Sequence, residues 1–180
     1  GRCPRCGSAI PPDAPGGVVH DLVNDTAQMR ETLRRIKDTG VGVFDLEVIR
    51  INPTCDAKTY EKFFETGARL GAKAVVVVGE DEDEDRLAAS FAALCAAAQP
   101  YGLSINLEFV PFFTVKDGAT AKRVVAKAGA SNGAVLVDPL HYLRSGTPLA
   151  DVAAIPPGML TFAQICDAPR EAPATLEGLL

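Results

Sequence analysis

The sequence predicts an α/β fold, a partial (β/α)8 TIM barrel of about five βα units with parallel strands. Apolar segments centred near Val43, Val76, Ile105, Leu136 and Phe162 recur along the 180 residues. Their spacing of about thirty residues is the pitch of a βα unit, and stretches of helical periodicity separate them. Right-handed crossovers make a parallel sheet the expected arrangement. A doubly wound open sheet is the rival, but the Gly-rich phosphate loop typical of that fold is not found in the sequence.

The elements follow one another in a regular order. Asp25 is expected to cap the first helix and Gly40 to end it. Helices are predicted over 26–39, 56–70, 83–99, 117–128 and 149–154, and strands over 41–51, 74–78, 103–109, 134–137 and 160–166.

Alternating side chains support a sheet with two different faces. In the strand 103–109, one face carries Leu103, Ile105, Leu107 and Phe109, and the other carries Ser104, Asn106 and Glu108. In the strand 41–51, Asp45 and Glu47 share one face, and the opposite face carries Phe44, Leu46 and Val48. We expect helices to cover the apolar faces and the polar faces to line a pocket.

Two acids stand where predicted strands stop. Asp138 follows the strand 134–137, and Glu108 lies at the same end of the strand 103–109. The carboxyl ends of barrel strands carry the chemistry of such folds, so the pair suggests a divalent-metal or acid/base site. The structural alternatives are a strand-end cap or salt bridge for Glu108, a cap of the Pro139 turn for Asp138, and a surface position for His141.

Composition narrows the choice of partners and compartment. The formal net charge is −5, with no Lys/Arg patch that would indicate nucleic acid, and no apolar run is long enough to span a membrane. Five scattered cysteines do not form a secreted disulfide framework, which favours the cytoplasm. Cys3 and Cys6 have the spacing of one zinc-ribbon knuckle, but an irregular leader over 1–17 before one domain over 18–180 is the preferred interpretation.

Three motifs resemble those of a known family. Leu107-Glu108-Phe109, Asp138-Pro-Leu-His141 and Gln164-Ile-Cys-Asp167-Ala-Pro are similar to segments of the sugar phosphate isomerases and epimerases of the xylose-isomerase-like TIM-barrel superfamily, which includes the AP endonuclease family 2 type of domain. The resemblance covers roughly 18–169 and matches the family's third to seventh strands. It therefore implies a barrel that lacks the first strands and the last strand. The family's last catalytic Glu, which belongs to that last strand, is missing as well.

The resemblance also implies roles for individual residues. Glu108 would be the catalytic acid/base and a metal ligand, Asp138 a second ligand, and Gln164 would stand where the family has its third, a His. His141 would contact substrate. Glu47 could line the pocket, and Arg144 could bind a phosphate or carboxylate. Oxygen ligands favour Mn²⁺ or Mg²⁺.

The function that the resemblance implies is metal-assisted isomerisation or epimerisation of a sugar, sugar phosphate or sugar acid by proton transfer at the C-terminal rim of the barrel. The alternatives are a dehydratase acting on a cyclic polyol or a dehydroshikimate-like substrate, and a non-catalytic truncated remnant of such an enzyme. The expected partner is a small carbohydrate-like molecule, with neither nucleic acid nor membrane. Five strands leave two open edges, and a homo-oligomer is one way to cover them.

Overall fold

The computed structural model describes residues 21–167, so the leader 1–17 with Cys3 and Cys6 lies outside the described residues. The chain divides into two compact units, of which one is Gly42–Ala168 and the other contains the residues up to Val41. No helix in the described range is both long and apolar enough to cross a membrane.

The helix α1, Ala27–Thr39, belongs to the unit that precedes Gly42. Its N-cap is Thr26, whose hydroxyl accepts a hydrogen bond from the Met29 amide at 3.0 Å. The prediction that Asp25 caps this helix is therefore wrong, and Asp25 pairs instead with Arg30 at 3.2 Å. Gly40 ends the helix with a φ of 70°, as expected from its lack of a Cβ.

The unit Gly42–Ala168 contains one sheet of five parallel strands that lie side by side in chain order, which confirms the predicted parallel α/β fold. The strands are β1 Asp45–Ile51, β2 Ala74–Gly79, β3 Ser104–Glu108, β4 Gly133–Val137 and β5 Leu160–Ala163. The helices of this unit are α2 Glu61–Leu70, α3 Glu84–Ala98, α4 Gly118–Ala128, α5 Pro139–Ser145 and α6 Leu149–Ala153. Because each strand pairs with the next along the chain, the arrangement is that of consecutive βα units in a barrel.

Side-chain caps fix where the long helices begin. Asp83 accepts from the amides of Asp85 and Arg86 at 3.1 and 3.0 Å, and Asp117 accepts from Thr120 at 2.8 Å. These acids satisfy amides that have no partner inside the helix.

The helix α5 is absent from the prediction. It begins with Pro139 in its first turn, and Asp138 is its N-cap. Proline tolerates the first helical turn because the amide it lacks would be unpaired there.

One hydrophobic cluster lies between the sheet and the helices α2, α3 and α4. Phe64, Phe91 and Val124 from the helices are fully buried in it, and the strands contribute residues such as Val77 and Leu107. The opposite face of the sheet is called the inner face here. It is also well buried, since Val76 and Leu136 are each no more than 1% exposed.

Side chains from the two edge strands and from the residues next to them meet across the inner face. The rings of Phe44 and Phe162 contact each other edge to face with centroids 5.0 Å apart. The Thr161 hydroxyl on β5 donates a hydrogen bond to the side-chain oxygen of Asn106 on β3. The amide nitrogen of Gln164 donates to the carboxylate of Glu47 at 2.8 Å.

The predicted alternation of the strand 41–51 fails on both sides of Leu46. Phe44, expected on the covered face, contacts Phe162 across the inner face, and a second change follows Leu46. The register of β1 with β2 shifts between Leu46 and Ile49, so Ile49 and Ile51 join the helix-side cluster. Val48, expected on that covered face, is 47% exposed. The extra residue at the irregularity exchanges the two faces for the second half of the strand.

Candidate active site

Glu108, Asp138 and His141 come together at the carboxyl ends of β3 and β4. One potential ligand atom from each of them lies within 4.8 Å of the other two. Glu108 is the last residue of β3 and is 8% exposed, and Asp138 directly follows β4 and is 7% exposed. Since β3 and β4 are neighbours, their carboxyl ends place the two acids side by side.

The Asp138 side chain is both a helix cap and a member of this cluster. Its Oδ1 accepts a hydrogen bond from the His141 amide at 3.0 Å, which holds the first turn of α5 in place. The Cys166 thiol donates to the same carboxylate, with Sγ 3.4 Å from each oxygen. Asp138 is therefore a cap, as expected if it had a structural role, and the same hydrogen bonds orient its carboxylate toward the cluster.

Burial and neighbouring acids change the protonation of Glu108. Desolvation, with the added repulsion of Asp138 and then Glu47, raises the pKa of Glu108 to about 8. A carboxyl with this pKa is present in both protonation states near neutral pH, which suits a group that must accept and return a proton. Burial lowers the pKa of His141, so its imidazole is neutral near pH 7. Its Nε2 lies 3.7 Å from Oε1 of Glu108.

The three side chains form a chemically suitable set for a divalent cation. Two carboxylates and a neutral imidazole are ligands that Zn²⁺ and Mn²⁺ accept. Their potential ligand atoms all lie within 4.8 Å of one another, so small side-chain movements would bring them onto one ion. A cation would also offset the repulsion between the buried acids.

An aromatic wall extends from the cluster along the rim. The ring of Phe112 contacts His141 edge to face at 6.0 Å, and Phe113 contacts Phe112 at 5.0 Å. The guanidinium of Arg50 lies over Phe113, 5.2 Å from the ring centroid. These residues and Cys166 are additional to the predicted site.

The other predicted site residues are not members of this cluster. Glu47 and Gln164 are hydrogen-bonded to each other, and Arg144 lies in the last turn of α5. The predicted roles of Gln164 as a ligand and of Glu47 and Arg144 in substrate binding stay predictions.

The sheet order and this rim define a class of fold, a partial (β/α)8 barrel, and comparison with solved structures identifies its type. The chain is similar to a xylose isomerase-like TIM barrel/4-hydroxyphenylpyruvate dioxygenase fusion protein, with a TM-score of 0.73 and 23% identity over 82% of this chain and 26% of that one. It is similar to 3-keto-D-glucoside 4-epimerase, YcjR, from E. coli, with a TM-score of 0.68 and 20% identity over 81% and 65% of the two chains. It is similar to the IolI protein with a bound zinc atom, with a TM-score of 0.66 and 19% identity over 81% and 56%.

A probable 3-DHS dehydratase, AsbF from Bacillus anthracis, shares the fold with a TM-score of 0.63 and 12% identity over 73% of this chain and 53% of that one. No model of a protein family matches the sequence, and a search of curated proteins found no match. The chain therefore has the fold of the xylose isomerase-like TIM-barrel proteins, which confirms the predicted resemblance at the level of fold. It spans less than two thirds of each of these four chains.

Proposed function

We propose that this chain carries the metal-assisted proton-transfer site of a sugar isomerase or epimerase, acting on a small carbohydrate-like molecule. The observation that carries the proposal is the buried cluster of Glu108, Asp138 and His141 at the strand ends. Burying two acids side by side is costly unless a proton or a cation offsets their charge. The same burial and repulsion shift the pKa of an acid, as the active site of a proton-transfer enzyme requires.

Each residue of the cluster has a distinct part in this proposal. Glu108 takes a proton from the substrate carbon and returns it, because burial beside Asp138 and Glu47 favours its protonated form. Asp138 stays fixed by the His141 amide and the Cys166 thiol, so it offers a stationary carboxylate. The His141 imidazole, packed against Phe112, hydrogen-bonds a substrate hydroxyl.

Glu108 and Asp138 would hold the divalent cation, with the amide oxygen of Gln164 as a further ligand and His141 close enough to join. A bound Mn²⁺, Mg²⁺ or Zn²⁺ would stabilise the negative charge that develops on a substrate oxygen as the proton leaves. The IolI structure carries a bound zinc atom, which supports a metal in this fold.

Metal binding tests the proposal directly. Calorimetric titration of Mn²⁺ into chelator-treated protein should show one site that is lost in Glu108→Gln and in Asp138→Asn. Glu84→Gln, which removes a half-buried acid on α3 that pairs with Arg123, is the matched control and should leave binding unchanged. Binding that neither cluster variant alters would refute the metal site.

Proton transfer can be measured before the substrate is known. The Mn²⁺-loaded protein is incubated in D₂O with a panel of ketoses and keto acids, and deuterium incorporation next to the carbonyl is followed by NMR. We expect incorporation that disappears in Glu108→Gln. If neither Mn²⁺ binding nor exchange is found, the chain acts as a non-catalytic remnant of such an enzyme.

A dehydratase is the second candidate, favoured by the shared fold of the AsbF structure. Elimination also begins when a base removes a proton next to a carbonyl, so Glu108 would serve in either reaction. The same NMR experiment separates the two reactions, because elimination produces new alkene signals whereas epimerisation produces only deuterated sugars.

The proposed compartment is the cytoplasm. Cys55, Cys95 and Cys166 are free thiols, as a reducing compartment would leave them. The open sheet edges make a homo-oligomer part of the proposal, and sedimentation of the purified protein tests it.

A further inference from the structure

Arg50 occupies the same row of the inner face as Glu108. In the register of the sheet Arg50 pairs with Val78, and Val78 pairs with Glu108. The residues on either side of Arg50, Ile49 and Ile51, belong to the helix-side cluster, so Arg50 is on the face that carries Glu108. Only one strand separates them, which puts their backbones about 10 Å apart, two strand spacings.

Arg50 is also the only Lys or Arg within the five described strands. A cation at the carboxyl end of an inner-face row lies at the same rim of the sheet as the acids and not against the helix layer. The arrangement follows from the irregularity in β1, which moves Arg50 from the face predicted by simple alternation to the inner one.

Two contacts hold the guanidinium in place. Its Nε donates to Oε1 of Glu80 at 2.7 Å, and Nη2 donates to the same oxygen. Its central carbon, Cζ, lies over the Phe113 ring. Both contacts lower the entropy that the long side chain would lose on binding a ligand.

The guanidinium keeps exposed surface despite these contacts, since its side chain is 58% exposed. The aromatic wall of Phe113 and Phe112 leads from it to His141. A molecule lying along this wall would reach the acids at one end and a fixed cation at the other. Arginine binds carboxylate and phosphate through paired N–H groups, whereas a neutral hydroxyl gains much less from it.

We propose that Arg50 binds the anionic group of the substrate, a carboxylate or a phosphate, while the carbon that exchanges its proton lies at Glu108. The inference rests on the proposed function and restricts its substrate class to acidic carbohydrates. Neutral sugars would meet the acidic rim formed by Glu47, Glu108 and Asp138 but would gain no ion pair with Arg50. Arg50 is then a specificity-determining residue.

The test uses three probes that differ in one group. D-Gluconate, D-glucitol and D-glucitol 6-phosphate are titrated into the Mn²⁺-loaded protein and into its Arg50→Gln and Arg50→Lys variants. Arg123→Gln removes a similar Arg–Glu pair between α4 and α3 and is the matched control. Mn²⁺ affinity is measured for every variant and reports that the site is folded.

We expect the wild type to bind gluconate, the phosphate, or both, about tenfold or more tightly than glucitol, with a preference that weakens as salt is added. The preference should vanish in Arg50→Gln, fall in Arg50→Lys and persist in Arg123→Gln. Which of the two anions is favoured identifies a sugar acid or a sugar phosphate.

Equal affinity of the wild type for all three probes would overturn the role of Arg50, and so would a preference that survives Arg50→Gln. Either result can occur with Mn²⁺ binding intact, in which case the proposed function stands. Loss of the metal site itself appears separately, in the Glu108→Gln and Asp138→Asn titrations.

Discussion

The buried Glu108 carboxyl should make the metal-free protein less stable as the pH rises. Its pKa in the folded protein, about 8, lies above its ordinary value of 4.5 because of burial and the repulsion of Asp138 and Glu47. A group with a raised folded pKa contributes stability that is fully present below the unfolded pKa and is lost as the pH rises through the folded one. The window is therefore from about pH 4.5 to about pH 8.

The size of the effect follows from the proton linkage. Ionising Glu108 inside the folded protein costs on the order of 3–4 kcal/mol between pH 5 and pH 9, at 1.36 kcal/mol for each pKa unit. For a domain of this size that corresponds to a fall in Tm of about 10 °C. Glu108→Gln replaces the acid with a neutral group of nearly the same shape, so the variant should lack this part of the pH dependence.

The assay is thermal and urea denaturation of both proteins from pH 5 to pH 9 in the presence of a chelator. The two should be about equally stable at pH 5, and the variant should be the more stable at pH 9. The difference between the proteins is the diagnostic quantity, because the other titrating groups contribute to both curves. Parallel curves would refute the account of Glu108, and so would a variant that loses stability relative to wild type as the pH rises.

Three further predictions concern the cluster and the core. Mn²⁺ should raise Tm more at pH 8 than at pH 6, because protons compete with the cation for Glu108; an equal shift at both pH values in a differential scanning experiment would contradict this. Cys166→Ala should lower Mn²⁺ affinity about tenfold by removing the thiol donor to Asp138, and an unchanged calorimetric affinity would show that the contact is inert. Gly133→Ala should destabilise the fold by about 1–3 kcal/mol, because its Cβ would lie 2.7 Å from the Phe91 ring; Gly42→Ala, with nothing within 4 Å, is the control, and equal urea midpoints would disprove the packing argument.

The sequence was sufficient to predict the sheet because local signals and tertiary structure agree there. β2 is apolar throughout and buried throughout. α3 begins at Glu84, directly after the expected Asp83 as its N-cap, and packs Phe91 against the sheet. β3 alternates as predicted, with Leu107 toward the helices and Asn106 inside. In each of these elements one pattern of apolar residues along the sequence correctly predicts which side chains are covered.

The prediction failed at α5 and in β1, where the local sequence is compatible with two different structures. Asp138 before Pro139 is typical of a turn, yet the same pair is an N-cap and a first-turn proline, so α5 begins there. In β1 the irregularity after Leu46 cannot be detected from alternation, because either face of that strand contains both apolar and charged residues. The side on which Arg50 lies therefore depends on pairing with β2, which only the folded sheet determines.

The cluster, its pH dependence and its proposed chemistry share one physical cause. Neighbouring strand ends bring Glu108 and Asp138 together, and Glu47 adds to the negative potential that Glu108 experiences. The folded chain can relieve that repulsion by holding a proton on Glu108 or by holding a cation between the two acids. The proton and the cation therefore compete for Glu108. For that reason the metal titration and the pH series must agree: if Mn²⁺ binds at these acids, saturating Mn²⁺ should abolish the stability difference between pH 6 and pH 8 that Glu108 produces in the chelated protein.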